Sequence, residues 1–283
     1  MIDLDRNPIG IYEKAIPSYY TWEERLIAAK IAGYDYVEIS IDESDERLNR
    51  LEWNSKQRKE LADAIHRTGV RIPSMCLSGH RRYPLGSEND QIRNEALNIM
   101  KKAIQFASDV GINVIQIAGY DVFYEKSNEK TIQRFYEGLK KSIEWASKAN
   151  IILAMEVMDY KFTGSVKKIM DYVKEFNSPY FQVYPDLGNI SAWGNDIAKD
   201  LQCGDGHIVA VHAKDTLPGE FRRVDFGKGC VDFVEGFTQL NRMNYQGPIL
   251  VEMWVDDSAD FMQIITDARK WIINKMNKAG MKI

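Results

Sequence analysis

Cysteine is scarce in this chain: Cys76, Cys203 and Cys230 are far apart and odd in number. They form no CxxC pair and no disulfide framework, so a reducing, cytoplasmic compartment is expected. Histidine is nearly as rare, with four residues, and no lysine- or arginine-rich block occurs in a chain of net charge −4. Nucleic-acid binding ordinarily leaves a basic footprint, so no nucleic-acid partner is expected. Apolar runs stop well short of a membrane span, and no membrane partner is expected either. The opening Met1-Ile-Asp-Leu-Asp-Arg-Asn-Pro8 has neither a basic n-region nor an apolar h-region, so it reads as no signal peptide. No Pro/Gly/Ser-rich linker or composition break divides the chain, and residues 1–283 read as one domain. What is present is an ordinary globular mixture, 45% hydrophobic and 28% charged, ample for a sizeable core.

Strand-type runs alternate with helical patterns from end to end. Ile9-Gly-Ile-Tyr12 precedes a helix opened by Thr21-Trp-Glu-Glu24, which has capping-box spacing. Tyr36 to Ile41 leads to a helix from about Lys56 to Arg67, closed near Gly69. Arg71 to Cys76 precedes a helix over 90–110 that ends at Gly111, and Asn113 to Ala118 precedes one through Lys130 to Ala149. Four further runs end at Glu156, Asp186, His212 and Glu252, with helices near 165–176, 196–201, 231–240 and 258–277. Alternating βα units imply a parallel sheet. Eight such units in 283 residues fit an α/β fold of the (β/α)8 TIM-barrel type. An open doubly wound sheet is the rival, but it gives no reason for four neighbouring strands to aim polar ends at one place. A barrel does, because its site gathers at the C-terminal ends of the strands. Lys214 to Gly229, after the seventh strand, reads as a long loop.

Those polar ends carry the chemistry. A carboxylate ending a β-branched run is costly to bury without a partner. Singly, each residue has an ordinary explanation: a helix cap, half of an ion pair, a hydrogen-bonded core histidine. In succession, with gaps of about one βα unit, Glu156, Asp186, His212 and Glu252 suggest one shared partner. Two Glu, one Asp and one His form an oxygen-rich set for one divalent metal ion, with Mn2+ or Zn2+ first and Co2+ or Mg2+ also compatible.

Substrate-binding candidates come from the loops. Arg81 and Arg82 follow His80 after the third strand, while Lys214, Arg222 and Arg223 follow the seventh. Barrel enzymes often bind phosphate near loops seven and eight, which favours the second group; a solvated surface charge is the alternative for each. Gly227-Lys-Gly229 is too short to cradle phosphate by itself and reads as a turn. Glu38 and Gln116 are polar residues within strands that could touch substrate hydroxyls, with a salt bridge to Arg71 an equal reading for Glu38. Trp193, Trp254, Tyr120, Tyr124 and Phe226 lie near strand ends or loops, where they could wall a pocket but where aromatics usually just pack.

Longer motifs carry a resemblance. The stretches Gly10-Ile-Tyr-Glu-Lys14, Val37 to Leu48, Pro73 to Gly86, Ile117-Ala-Gly-Tyr-Asp121, Tyr184 to Asn195, His212-Ala-Lys-Asp-Thr216 and Val251-Glu-Met-Trp254 span nearly the whole chain. They resemble the L-ribulose 5-phosphate/L-xylulose 5-phosphate 3-epimerases of L-ascorbate and L-gulonate catabolism, which belong to the xylose-isomerase-like barrels. The resemblance implies an isomerase that interconverts the two sugar phosphates through a metal-stabilised cis-enediolate. It implies Glu156, Asp186, His212 and Glu252 as metal ligands, Glu156 and Glu252 as the acid/base pair, and a homodimer. Gly79 departs from the pattern, where Ala is expected. An epimerase or isomerase of free ketoses, an apurinic-site endonuclease and a non-catalytic sugar-phosphate sensor are the other readings. Few histidines and a negative charge speak against the endonuclease, and an intact Glu156/Glu252 pair against the sensor.

Overall fold

The computed structural model describes residues 6–283; Met1 to Asp5, part of the opening read above for a leader, lie outside the described residues. Among the described residues ten strands occur: β1 (Ile9–Tyr12), β2 (Tyr36–Ile41), β3 (Arg71–Leu77), β4 (Val114–Ala118), β5 (Ile152–Glu156), β6 (Phe181–Tyr184), β7 (Val211–Ala213), β8 (Asp215–Leu217), β9 (Glu220–Val224) and β10 (Ile249–Val251). Eight of them form one parallel sheet in the order β6-β5-β4-β3-β2-β1-β10-β7. Its two ends meet through bridges between Val183 and Ile208 and between Asp186 and His212, which makes the sheet a nearly closed TIM barrel.

Strand alternation decides what lies inside that barrel. In β2, Val37, Ile39 and Ile41 join the main apolar core beneath the surrounding helices, leaving Tyr36, Glu38 and Ser40 to the interior. The same parity puts Ser74 and Cys76 of β3, Gln116 of β4, Glu156 of β5, Tyr184 of β6 and His212 of β7 inside, all buried. Space there is tight: a Cβ on Gly10 would lie 2.2 Å from the Tyr36 ring. Tyr12, Tyr36, Cys76 and Leu250 form one apolar and aromatic cluster in the interior, and buried charges gather at the C-terminal end of the strands.

Helix ends follow the local signals. Thr21 closes a full capping box with Glu24, and the helices Ser55–Thr68 and Asp90–Val110 stop at Gly69 and Gly111, both left-handed. No helix among the described residues is long and apolar enough to cross a membrane.

Departures from the sequence reading include two that bear on the site. The stretch after the seventh strand, expected as a loop, contains the antiparallel hairpin β8–β9. It turns at Pro218-Gly219, where Pro sets the first turn residue and Gly219, with φ of 79°, supplies the second. Below it, the Asp215 carboxylate accepts the amides of Thr216 at 3.0 Å, Gly227 at 2.8 Å and Gly229 at 3.0 Å, which folds the rest of the segment around one buried side chain. A short helix, Leu187–Ala192, also starts directly at Asp186, which caps it.

Candidate metal and substrate site

Four strand ends deliver four buried ligand types to one point. Glu156 is the last residue of β5, His212 lies in β7, and Asp186 and Glu252 stand just beyond β6 and β10. One ligand atom from each lies within 4.8 Å of the other three. His212 is fully buried; its Nδ1 faces Glu156 Oε1 at 2.9 Å and Glu252 Oε2 at 3.4 Å. Asp186 Oδ1 accepts the Asn189 amide at 3.0 Å, the helix-capping bond. Its other oxygen meets the Lys214 ammonium at 2.6 Å, and Lys214 reaches Glu252 Oε2 at 3.2 Å.

Two of the four, His212 and Glu156, are braced from behind. The His212 Nε2 sits 3.0 Å from Glu38 Oε1, while Glu38 Oε2 accepts from Ser74 at 2.6 Å and Tyr184 at 2.9 Å. With Nε2–H donated to Glu38, the Nδ1 lone pair points at the cluster, which is the tautomer a metal requires. Gln116 Nε2 donates to Glu156 Oε2 at 2.5 Å, leaving Oε1 toward the centre.

The charges do not balance. Glu38, Glu156, Asp186 and Glu252 are opposed by one ammonium and one imidazole, all buried. Burial and the neighbouring Glu252 and Glu156 push the Asp186 carboxyl upward against the pull of Lys214. Burial also acts to raise Glu252, but Lys214 and His212 outweigh it and hold that carboxyl well below the usual range. Burial would lower His212, yet Glu156, Glu252 and Glu38 drive it well above its ordinary value. A buried cluster of carboxylates, converging with an oriented imidazole, is a donor set that suits a divalent cation.

Above the cluster opens a pocket of about 90 Å³, walled by Tyr12, Cys76, Arg81, Asn189, Arg222 and Trp254, with Glu156 and Glu252 at its base. Of the residues nominated from the sequence, Lys214 belongs to the charged cluster, and Arg81 and Arg222 line the pocket. Arg223 is exposed and paired with Asp256. Arg82 is likewise exposed and paired with Asp45 at 2.6 Å. His80 is not brought to the pocket: it is buried, its Nε2 3.0 Å from the Ala96 carbonyl, and burial pulls its pKa down to about 4. Glu38 lies behind His212 instead of facing a substrate, and Arg71, its other expected partner, is exposed at the far end of β3. The amides of Gly227 and Gly229 are spent on Asp215, so that turn cradles no phosphate. Among the aromatics, Trp254 walls the pocket, Phe226 packs on Phe233 and Trp271, and Tyr124 is 70% exposed. Trp193 donates to the Met158 carbonyl at 2.9 Å.

Among the pocket residues not singled out from the sequence, Asn189 and Asp159 bear most directly on the chemistry. Asn189 is buried, fixed through Nδ2 to the Val157 carbonyl at 2.7 Å, and its Oδ1 has no partner among the described residues. Asp159 accepts Arg222 on Oδ2 and the Tyr120 hydroxyl on Oδ1, both at 2.5 Å. The position of Asn189, three residues past Asp186 on a capped helix, is the signal that could have found it.

A family model described as xylose isomerase-like TIM barrel matches residues 26–275. The L-ribulose-5-phosphate 3-epimerase UlaE of Escherichia coli O1:K1 is 56% identical over 274 residues, covering 97% of this chain and 96% of its own. Its namesake in Escherichia fergusonii is 55% identical over the same shares. Among solved structures, a D-allulose 3-epimerase from Methylomonas sp. superposes with a TM-score of 0.79 at 17% identity, over 96% of this chain and 98% of that one. An L-ribulose 3-epimerase does so with a TM-score of 0.79 at 18% identity, over 97% and 96%. The chain belongs to the xylose isomerase-like TIM barrels and, within them, to the L-ribulose-5-phosphate 3-epimerase family. It is an enzyme, an isomerase of the epimerase type.

Proposed function

We propose that the chain is a divalent-metal-dependent 3-epimerase interconverting L-ribulose 5-phosphate and L-xylulose 5-phosphate. The observation that supports this reading is the convergence of Glu156, Asp186, His212 and Glu252, in carboxylate excess, beneath an open pocket. The name of the relatives, L-ribulose-5-phosphate 3-epimerase, supplies the substrate class. Mn2+ or Zn2+ is the first choice of ion for three carboxylates and an imidazole.

Inverting C3 of a 2-ketose removes a proton α to the carbonyl and returns one to the opposite face. A cation held by the four ligands would supply a Lewis acid for the negative charge that develops on the substrate oxygens. Proton movement falls to the chain itself. Glu156 and Glu252 flank the other two ligands in barrel order and reach the pocket, so one takes the C3 proton and the other delivers its replacement. Such general acid/base groups contribute about 10²–10⁴-fold each. Lys214 keeps Glu252 ionised, Gln116 orients Glu156, and Asn189 Oδ1 is a fixed acceptor for a substrate hydroxyl.

NMR of L-ribulose 5-phosphate in D₂O tests the reading. Metal-loaded enzyme should place deuterium at C3 and form L-xylulose 5-phosphate, EDTA-stripped enzyme should do neither, and Glu156→Gln or Glu252→Gln should abolish both. Exchange that persists without metal, or activity near the parent in either variant, would overturn the assigned roles.

A further inference from the structure

One side chain in the acidic cluster carries the wrong sign for a cation site. Lys214 is 5% exposed, and its ammonium lies 2.6 Å from Asp186 Oδ2 and 3.2 Å from Glu252 Oε2. Burying an ammonium is costly, so it is ordinarily matched by a carboxylate kept for that purpose. Here the two carboxylates are also two of the four candidate ligands.

The oxygens it meets are the ones an ion needs. Asp186 Oδ1 is taken by the Asn189 amide at 3.0 Å, which leaves Oδ2. Glu252 Oε2 is the oxygen that faces His212 Nδ1, at 3.4 Å. Both atoms are buried, and neither receives an aligned hydrogen bond from the ammonium or from any other donor among the described residues. Lys214 therefore meets them as a charge and leaves their lone pairs open. An ion bonded to Asp186 Oδ2 at about 2.1 Å could stand no farther than about 5 Å from that ammonium. Like charges so close, in a buried site, repel strongly.

We infer that Lys214 competes with the divalent ion for Asp186 and Glu252, and so sets how tightly the ion is held. With the ammonium on the two oxygens, the buried carboxylates are compensated from within the chain. An ion that takes them turns the ammonium toward the pocket, which Lys214 also lines. The side chain is a built-in counter-ion that keeps the metal exchangeable, and not a brace for its ligands. This inference rests on the metal-dependent reading and adds the residue that opposes loading.

The direction of change in metal affinity decides between the two roles. Lys214→Met keeps the length of the side chain and removes its charge. Calorimetric titration of the EDTA-treated, full-length proteins with Mn2+ should show the variant binding about tenfold or more tightly than the parent. In EDTA the variant should melt below the parent, and saturating Mn2+ should raise its Tm by more than it raises the parent's. Lys214→Gln, which keeps a donor toward Asp186 without the charge, should shift Kd the same way and replaces the Met variant if that one does not fold. Mn2+ affinity that is unchanged or weaker in the variants would make Lys214 a bystander or a brace, and would overturn the competition while leaving the metal reading intact. Variants that bind Mn2+, Zn2+, Co2+ or Mg2+ where the parent binds none would show the competition in its extreme form. If no protein of the set binds any of these ions, the metal reading fails and the competition with it.

Discussion

Glu38→Gln exchanges one oxygen for an NH₂ group behind His212. The native carboxylate is fully buried, accepts from Ser74 at 2.6 Å and Tyr184 at 2.9 Å, and faces His212 Nε2 at 3.0 Å. In the variant the amide nitrogen turns to Ser74 and Tyr184, whose hydroxyls rotate to accept, and the amide oxygen keeps His212. The fold therefore survives, and what is lost is the charge on the acceptor. A hydrogen bond to a charged group contributes about 1.5–3 kcal/mol and a neutral one about 0.5–1.5. The difference, about 1–1.5 kcal/mol, weakens metal binding roughly tenfold. That lies at the low end of the ~10–100-fold typical for groups behind metal ligands. Calorimetric titration with Mn2+ reads the change in Kd, and kcat at saturating metal should return to within about threefold of the parent. An unchanged Kd, or lost activity that excess metal does not restore, would refute the reasoning.

Other perturbations separate further parts of the structure. Asn189→Ala removes the fixed acceptor in the pocket and should lower kcat/KM by about tenfold while leaving Mn2+ affinity near the parent's; no kinetic change would mean that Oδ1 meets no substrate group. Gly229→Ala would put a Cβ 2.1 Å from Asp215 Oδ1 and 2.4 Å from the Thr216 carbonyl, so urea unfolding should show a loss of about 1–3 kcal/mol. His80 is buried neutral, with its pKa lowered to about 4. The unfolded chain takes up that proton near the ordinary histidine value of ~6.5, so stability is full above it and falls with acid down to the folded pKa. About 2 kcal/mol should go between pH 7 and pH 5, and His80→Gln should flatten that limb of the pH–stability curve; an unaltered slope would assign the acid sensitivity elsewhere.

The barrel was legible in the sequence because its signals are local. Alternation in Tyr36–Ile41, the capping box at Thr21 and the stops at Gly69 and Gly111 each depend on neighbours a few residues away. The four ligand types could be read because each ends its own apolar run, so their convergence follows from topology alone. Long-range partnerships left no such trace. Glu38 and His212 are far apart in the chain, and nothing near Glu38 tells a substrate contact from a brace behind a ligand. The β8–β9 hairpin had a usable signal in Pro218-Gly219, but a strand as polar as Glu220–Val224, mostly arginine and acid, does not look like one. The helix after Asp186 was hidden by Gly188 and Asn189, residues that ordinarily mark turns.

The barrel's seam sets where it opens. Most neighbouring strands share a continuous ladder, but β6 and β7 are joined by two isolated bridges, with His212 N–H on the Pro185 carbonyl at 2.9 Å. Asp186 stands on one side of that seam and His212 on the other. Any cation gripping both is a rivet through the weakest joint of the cylinder. Loading the site should therefore tighten that seam, and amide protons of Val209 and His212 are expected to exchange more slowly with the site loaded than with it empty.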